Sequence, residues 1–315
     1  MLLLSGGTGT PKLLRGLKEI VPQEQITVIV NTAEDLWVSG NLVCPDIDTV
    51  IYTLADLIDD SKWWGIKGDT FHTHSKLKAL GFKEAMMIGD ADRATHILRT
   101  EFIRRGESLT SATMKLCEHY NVKAKVLPMS DEKVETYIHT KEMGELHFQH
   151  FWITHGGKLE VEKVELRGIE KAKPSKEVIK ALEREEAVVI GPSNPVTSIG
   201  PIINLRDVRE ILRNKFVIAI SPFIGKQVIS GPAAKFLCAL NYDASSLGVA
   251  KYYEDFLDVF IVHEGDDLNV EGIKIVRADI LMVDKAKSMA LARLVKKLSE
   301  DYLRERKIAK EEKIR

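Results

Sequence analysis

The chain has 315 residues, 44% of them hydrophobic, which is enough to bury a core without a disulfide or a structural metal. Its 45 lysines and arginines balance 46 aspartates and glutamates, so no global positive field favours binding to nucleic acid or to an anionic membrane. The three cysteines are widely separated and no apolar run is long enough to span a bilayer. We therefore expect a soluble cytoplasmic protein that binds neither nucleic acid nor membrane.

The first segment predicts a strand at Met1–Leu4, a glycine-rich turn and a helix. Its glycines would let backbone N–H groups approach an anion, and Pro11 suits the first position of a helix. The segment thus predicts a phosphate cradle made of Gly6, Gly7, Thr8, Gly9, Thr10 and Lys12. The spacing matches neither the dinucleotide fingerprint nor the Walker loop, which disfavours an ordinary dehydrogenase or NTPase. A plain turn between strand and helix is the alternative.

Apolar, β-branched runs alternate with amphipathic stretches along most of the chain. Further buried strands are predicted at Ile26–Val30, Val122–Leu127, Ala187–Ile190, Phe216–Ile220 and Val259–Val262. This alternation predicts an α/β fold with a doubly wound, mostly parallel, Rossmann-like sheet. Ligands of such sheets bind in the loops beyond the carboxyl ends of the strands.

Two Asp-x-Asp pairs, Asp46/Asp48 and Asp90/Asp92, follow in chain order. Magnesium prefers one or two carboxylates together with phosphate oxygens and water. Asp48, Asp90 and Asp92 are therefore candidate ligands of Mg²⁺, with Asp35 as a further candidate. An aspartate before an apolar run is also a common helix N-cap, so one member of each pair could cap a helix while the other binds.

Residues 59–121 differ from the rest of the chain, because they show helical periodicity, at Arg93–Arg105 and Ser108–His119, and no convincing strand. We predict that 59–121 form a helical insertion subdomain and that 1–58 and 122–315 form a Rossmann-like nucleotide-binding core. Trp63, in the insertion, could stack on a planar heterocycle or pack at a seam between domains.

The second half adds an antiparallel meander, a polar loop and a long helix. The meander is predicted at Val134–His139, Leu146–Ile153 and Val161–Leu166, and the helix extends from Asp284 to about Lys307. Between them, Ser193 and Asn194 follow a predicted strand and indicate a second anion-binding loop, with a simple turn as the alternative. Ser230-Gly231-Pro232 is a weaker opening of the same type.

Several separated segments together resemble the CofD family, the 2-phospho-L-lactate transferases of coenzyme F-420 biosynthesis. They are residues 6–16, 31–35, 38–49, 63–69, 89–95 and 191–195, and the likeness extends from Met1 to about Leu298. The resemblance implies transfer of a 2-phospholactyl or phosphoenolpyruvyl group from a guanosine-diphosphate-activated donor (LPPG). The acceptor would be the ribityl hydroxyl of the deazaflavin 7,8-didemethyl-8-hydroxy-5-deazariboflavin (Fo). The products would be coenzyme F-420-0 and GMP, and the reaction would need Mg²⁺.

The resemblance also implies roles for particular residues. The guanosine diphosphate would lie across the glycine-rich loop and the Ser193-Asn194 loop. The metal together with Lys12 or Arg15 would neutralise the charge that develops on the leaving GMP. Asp48 would orient the acceptor hydroxyl and take its proton, and Asp48 and the segment around Met87 would contact Fo. Asp90 and Trp63 are further predicted Fo contacts, Trp63 by stacking on the planar ring system. Met87 has no polar side-chain group, so its contact would be made by backbone or by packing. The family suggests a homodimer, with the meander or the last helix as its seam.

Two other functions fit parts of the sequence. The first is a regulator of the same fold that binds nucleotide-activated sugars and has no transferase activity; it would need neither an acceptor pocket nor a base. The second is a nicotinamide-dependent oxidoreductase, because Glu34 and Asp35 occupy the sequence position of the acidic residue that hydrogen-bonds a ribose hydroxyl in such enzymes. The glycine spacing is wrong for that second function.

Overall fold

The computed structural model describes residues 1–229 and 231–312, so Ser230 of the weaker predicted turn lies outside the described residues. The strands are β1 (Leu2–Ser5), β2 (Thr27–Val30), β3 (Leu36–Val38), β4 (Asn41–Val43), β5 (Lys125–Pro128), β6 (Glu135–Thr140), β7 (Gly144–His147), β8 (Val161–Arg167), β9 (Ala187–Ile190), β10 (Phe216–Ile220), β11 (Phe223–Ile224), β12 (Gln227–Val228), β13 (Val259–His263) and β14 (Lys274–Ala278). The α-helices are α1 (Gly9–Leu17), α2 (Pro45–Leu54), α3 (His72–Ala79), α4 (Asp90–Arg104), α5 (Leu109–His119), α6 (Lys176–Arg184), α7 (Gly200–Ile203), α8 (Val208–Leu212), α9 (Ala233–Ala239), α10 (Ser246–Tyr252) and α11 (Lys285–Glu312).

Seven parallel strands form the central sheet in the order β14-β13-β10-β9-β1-β2-β5. The chain first proceeds outwards from β1 through β2 to β5, and then returns to the other side of β1 as β9. The strand order therefore reverses between β1 and β9, which is the place where open α/β sheets bind their ligands. The predicted fold class, a doubly wound parallel sheet of the Rossmann type, is confirmed.

The strands of this sheet form where the sequence has short apolar runs, because both faces of the sheet are covered. The residues of β1 and β2 are all buried, as are Val188–Ile190 of β9. Apolar layers lie on both faces. Continuous apolar runs without alternation are typical of parallel strands buried on both faces.

The predicted meander strand Leu146–Ile153 is wrong in its second half. Strand β7 ends at His147, and His150–Thr154 form one π-helical turn. Phe148 and Phe151 are three positions apart and both buried, and both pack against Phe236 with ring centroids 6.1 and 5.7 Å away. A helical turn places such a pair on one face, whereas an extended strand would have pointed them to opposite faces.

The three helices between residues 59 and 121 are α3, α4 and α5. Helix α5 packs against β5 and α4, while α4 also packs against the β3–β4 hairpin. Leu116 and Cys117 of α5 belong to the same apolar core as Val28 and Val126 of the sheet. The division of the chain at residues 59 and 121 stays a prediction.

The aspartates expected to cap helices do not cap their own helices. Helix α2 begins at Pro45 and α4 at Asp90, and neither start has a side-chain cap from its own N-cap residue. Asp90 instead accepts hydrogen bonds from the backbone N–H groups of His72 (2.9 Å) and Thr73 (3.0 Å), at the start of α3. Conversely, Asp69 before α3 accepts from the first amides of α4, those of Ala91 and Asp92, both at 2.9 Å. Each helix thus receives its capping carboxylate from the other segment.

The last helix, α11, packs along α1. The two helices approach closely at Gly16, where an added Cβ would lie 2.2 Å from the carbonyl carbon of Ser288. Among the described residues, no helix combines the length and the apolar character that a membrane crossing needs.

Candidate functional site

The loops that follow β1 and β9 are joined at the point where the strand order reverses. Ser193 makes the connection: its Oγ accepts a hydrogen bond from the Thr10 backbone N–H (3.3 Å) and lies 2.8 Å from the Thr10 hydroxyl. It also donates to the carbonyl oxygen of Gly6. Ser193 is only 4% exposed, so its hydroxyl is occupied inside the protein.

Glycines are needed here because the two loops touch. A Cβ on Gly9 would lie 1.9 Å from the carbonyl oxygen of Pro192, and a Cβ on Gly191 would lie 2.1 Å from the Thr10 hydroxyl. Gly7 has a φ of +57°, and its N–H donates to Asp46 Oδ1 at 2.8 Å. One amide of the predicted phosphate cradle therefore binds a carboxylate of the protein itself.

The remaining cradle residues surround the start of α1. Thr8 is the N-cap residue of this helix and makes no side-chain cap, and the helix begins at Gly9. In the first turn of α1, the Thr10 amide is bound to Ser193, Pro11 has no N–H and the Lys12 amide lies 3.4 Å from the Thr8 carbonyl oxygen. The partial positive charge of the helix start therefore remains the feature that suits an anion here. Asn194 uses its side-chain oxygen to accept from the amides of Val196 (3.0 Å) and Thr197 (3.3 Å). Ser193 and Asn194 thus shape the second loop.

Asp46 lies at the centre of three loops. Besides the Gly7 amide, it accepts a hydrogen bond at 2.9 Å from Asn31 Nδ2, which also donates to the carbonyl of Thr197 at 3.2 Å. Burial raises the pKa of Asp46 to about 6, although its bonds to Asn31 and Gly7 act in the opposite direction. Asp46, the first member of its Asp-x-Asp pair, thus binds the glycine-rich loop and Asn31 and does not cap α2. Its place beside Asn31, at the end of β2, depends on how β1, β2 and α2 assemble.

Glu34 and Asp35 add two further carboxylates to this region. Burial raises the pKa of both well above the usual value, and the charge of Asp46 raises it further. Within the described residues, Glu34 Oε1 and Asp35 Oδ1 are buried atoms without a hydrogen-bond partner. Buried carboxylate oxygens without partners are ligands of the type that a hard divalent cation prefers. The burial of the Glu34 side chain disfavours the ribose hydrogen bond that the oxidoreductase alternative requires.

Asp48 belongs to a different group, buried between α2 and α4. Its carboxylate binds the guanidinium of Arg99 through both oxygens, with Nη1 at 3.1 Å from Oδ2, and lies 3.1 Å from His96 Nε2. The same His96 nitrogen lies 3.2 Å from Asp92 Oδ1, which accepts a hydrogen bond from the Tyr52 hydroxyl at 2.8 Å. Two acidic and two basic side chains therefore share one buried cluster.

The charges of this cluster stabilise one another. Burial alone would raise the pKa of Asp48, but the Arg99 charge and the His96 hydrogen bond hold it below its usual value. Burial alone would lower the pKa of His96, but its bonds to Asp48 and Asp92 raise it to about 9. Asp48 is thus an ionised carboxylate, while His96 and Arg99 are its cations.

This arrangement bears on the predicted magnesium ligands. Asp48 and Asp92 come together, and with His96 their ligand atoms lie within 4.8 Å of one another. His96 and Arg99 already neutralise these two carboxylates, which opposes binding of a metal ion there. Among the residues that the structure describes, Glu34 and Asp35 have buried oxygens without partners, but their ligand atoms and those of Asp46 are not gathered within 4.8 Å of one another. Asp90 lies elsewhere, bound to the Thr70 hydroxyl (2.6 Å) and to the start of α3.

The predicted Fo contacts Met87 and Trp63 lie in different surroundings. Met87 exposes 46% of its surface in the loop between α3 and α4. That loop is anchored by Glu84, which binds Arg93 through two 2.8 Å hydrogen bonds and His74 Nδ1 at 2.7 Å. Trp63 instead lies against α1, with Lys12 Nζ 5.4 Å and Arg15 Cζ 4.8 Å from the ring centroid.

Sequence reasoning missed Asp46 as a central residue and did not single out Glu84, His96 or Arg99. One signal for the last two was available. Asp92, His96 and Arg99 follow one another at spacings of four and three on a predicted helix, which places three charged or titratable groups on one face. For Glu84 we find no comparable signal, because its partners come from separate segments.

The comparisons with known proteins agree with one another. The family model described as 2-phospho-L-lactate transferase CofD matches residues 1–298. A 2-phospho-L-lactate transferase of Methanosarcina mazei is 54% identical over 300 residues, covering 94% of this chain and 99% of that protein. Another, of Methanopyrus kandleri, is 45% identical over 308 residues, covering 96% and 98%. The crystal structure of a UPF0052-family protein from Bacillus halodurans aligns with a TM-score of 0.60 at 18% identity, covering 88% of this chain and 92% of that one; it supports the fold alone.

Proposed function

This chain belongs to the CofD family of 2-phospho-L-lactate transferases, and we propose that it moves a 2-phospholactyl group from LPPG to the ribityl hydroxyl of Fo. The products would be coenzyme F-420-0 and GMP. The match over residues 1–298, nearly the whole described fold, is the observation that carries this proposal. The joined loops beyond β1 and β9 support it, since a helix start and backbone amides suit a diphosphate.

The proposed reaction exchanges one phosphorus–oxygen bond for another. The Fo hydroxyl oxygen would form a bond to the phosphorus that carries the lactate. The bond from that phosphorus to the bridging oxygen would break, and its electron pair would leave with GMP. Such transfers depend mainly on positioning and on stabilising the negative charge of the transition state.

We assign the donor to the α1 side of the site. The start of α1 follows the loop at Gly6–Thr8, and Lys12 lies in its first turn. Burial and the neighbouring charge of Arg15 lower the pKa of Lys12, so an anion beside it would be stabilising for the ammonium form. A diphosphate supplies such an anion.

The proposal includes Mg²⁺, which we assign to Glu34, Asp35 and Asp46 because, within the described chain, the buried charge of these carboxylates is not neutralised by a neighbouring cation of the kind that Asp48 has. The buried, unpartnered oxygens of Glu34 and Asp35 support this assignment, as does the raised pKa of all three groups. When bound, the ion would neutralise phosphate charge in the transition state.

We propose that Asp48 orients the acceptor hydroxyl. A carboxylate offers about four acceptor positions. Asp48 uses three of them, two on Oδ2 for Arg99 and His96 and one on Oδ1 for Arg99. One position on Oδ1 is left for a substrate hydroxyl. The lowered pKa makes Asp48 a weak base, which suits a group that holds the hydroxyl and accepts its proton late in the transfer.

The test combines purified protein, Fo, MgCl₂ and LPPG and follows GMP and the phospholactylated deazaflavin by mass spectrometry. We expect both products in equal amounts. Formation of neither, with GDP still binding in calorimetry, would favour the alternative of a nucleotide-binding regulator. An enolpyruvyl donor in parallel reactions tests which activated acid is used.

A further inference from the structure

Trp63 is presented to α1 by a short loop in a strained conformation. The loop is closed by backbone hydrogen bonds from Asp59 to Gly65 (3.1 Å) and from Lys67 to Leu57 (2.8 Å). Trp63 itself has a φ of +62°, and its N–H donates to the carbonyl of Asp59 at 2.7 Å. A bulky residue in the left-handed region is destabilising and persists only where its surroundings hold it.

The ring of Trp63 faces two cations of α1 that differ in their other partners. Arg15 has several: the carbonyl of Met282 (3.2 Å), the hydroxyl of Ser288 (3.0 Å) and the carboxylate of Asp60 (3.6 Å). For Lys12, no carboxylate lies within ion-pair distance in the described part of the chain. Its ammonium nitrogen lies over the ring of Trp63. The ammonium is thus held by an aromatic face and has no anion.

We infer that Trp63 is a positioning residue for the donor: its ring holds the Lys12 ammonium in the first turn of α1 for the donor's phosphates. This inference rests on the proposed function. It assigns Trp63 to the donor side of the site, whereas the sequence predicts a contact of Trp63 with Fo. The substrate class it concerns is a nucleoside diphosphate derivative.

The physical basis is the flexibility of lysine. A free lysine side chain has many rotamers, and ordering it on binding weakens affinity. An aromatic face restricts the ammonium before the ligand arrives, and it does so without neutralising the charge as a carboxylate would. The positive charge therefore stays available to an incoming phosphate.

Two substitutions at Trp63 distinguish the effect of its aromatic face from the effect of its apolar volume. Trp63→Leu keeps an apolar side chain but removes the aromatic face, whereas Trp63→Phe keeps a smaller face. We expect Trp63→Leu to raise the KM for LPPG by about 3- to 30-fold and to leave the KM for Fo unchanged. Trp63→Phe should lie closer to the wild type. A raised KM for Fo with an unchanged KM for LPPG would overturn the inference.

Trp64 offers a matched control. It is 38% exposed and also lies beside a lysine, with Lys62 Nζ 5.0 Å from its ring centroid, but Lys62 is paired with Asp59 at 2.9 Å. Trp64→Leu should therefore leave the KM for LPPG unchanged. An equal rise in both leucine variants would show a general loss of loop structure and would overturn the inference.

A double-mutant cycle tests whether Trp63 acts through Lys12. In a Lys12→Met background, Trp63→Leu should cause no further rise in the KM for LPPG. The same factor in both backgrounds would assign the effect to Arg15 or to core packing instead.

The affinity for GDP, measured by calorimetry with MgCl₂, tests the role of Trp63 without requiring the transfer reaction. If the wild type transfers nothing, the proposed function fails, but a weaker GDP affinity of Trp63→Leu still supports the role of Trp63. An unchanged GDP affinity overturns it.

Discussion

The carboxylate of Asp48 and the guanidinium of Arg99 form a two-point ion pair across α2 and α4, and the Arg99 side chain is completely buried. Removing Arg99 leaves the buried Asp48 with His96 as its remaining cation, and His96 is shared with Asp92. We expect Arg99→Met to lower the free energy of unfolding by about 3–5 kcal/mol, measured by urea denaturation. Arg105→Met is the control, because Arg105 lies at the end of the same helix with 65% of its side chain exposed. Equal stability of the two variants would contradict the assignment.

Asp48→Asn should lower kcat by about 100-fold or more, because an amide can neither take the proton nor accept as strong a hydrogen bond from the hydroxyl. GDP affinity, measured by calorimetry, should stay within twofold, on the order of 0.4 kcal/mol. Asp90→Asn is the control, because Asp90 accepts hydrogen bonds from the first amides of α3 and lies outside the cluster of Asp48. A near-normal kcat for Asp48→Asn would remove Asp48 from the mechanism.

Glu34→Gln and Asp35→Asn should each raise the Mg²⁺ concentration for half-maximal activity by at least about 10-fold, because each removes a charged oxygen ligand. EDTA should abolish transfer by the wild type. Asp92→Asn should show no such shift in its Mg²⁺ titration, whatever its maximal rate. A shifted Mg²⁺ titration for Asp92→Asn, with unshifted titrations for Glu34→Gln and Asp35→Asn, would assign the metal to the cluster of Asp48, Asp92 and His96.

The raised pKa of His96 predicts a pH dependence of stability. Its folded-state pKa is about 9, above the ordinary value of 6.5 for the unfolded chain, so the folded state holds this proton more tightly. The stabilisation is fully present below pH 6.5 and is lost as the pH rises through 9; it amounts to about 3 kcal/mol. Urea denaturation of the wild type and of His96→Gln between pH 6 and 10 measures it. A wild-type slope retained in His96→Gln would assign the loss to other groups.

Gly9→Ala should destabilise the protein by about 2 kcal/mol or more and weaken GDP binding. Its new methyl group would lie 1.9 Å from the Pro192 carbonyl oxygen and would force the two loops apart. Gly265→Ala is the control, because the nearest atom to its added Cβ is 3.6 Å away. Thermal denaturation and GDP calorimetry on both variants give the comparison.

Six strands of the central sheet were predictable because buried parallel strands leave a clear pattern of short β-branched runs, as at Ala187–Ile190 and Phe216–Ile220. The edge strand β14 was not predicted, because none of its residues is fully buried and it lacks such a run. The meander strand around Phe151 was mispredicted, because an apolar run of that length fits a strand and a helical turn equally well. Packing against Phe236 decides between them, and that contact joins residues far apart in sequence.

The partners of the site aspartates were not predictable for the same reason. Arg99 is 51 positions from Asp48, and they meet because α4 packs beside α2. Asp46 joins Gly7 across 39 positions. Local rules could identify carboxylates suited to capping or to metal binding, but the choice between those roles depends on which helix each one meets.

The exchange of capping carboxylates between Asp69 and Asp90 makes the starts of α3 and α4 depend on each other. If the segment around Asp69 unfolds, α4 loses the acceptor for its first amides, and unfolding around Asp90 does the same to α3. Local opening of such mutually dependent elements is cooperative. The amide protons at both helix starts should therefore exchange with solvent in one shared event, so that the loop carrying Met87 opens and closes together with the two helices that flank it.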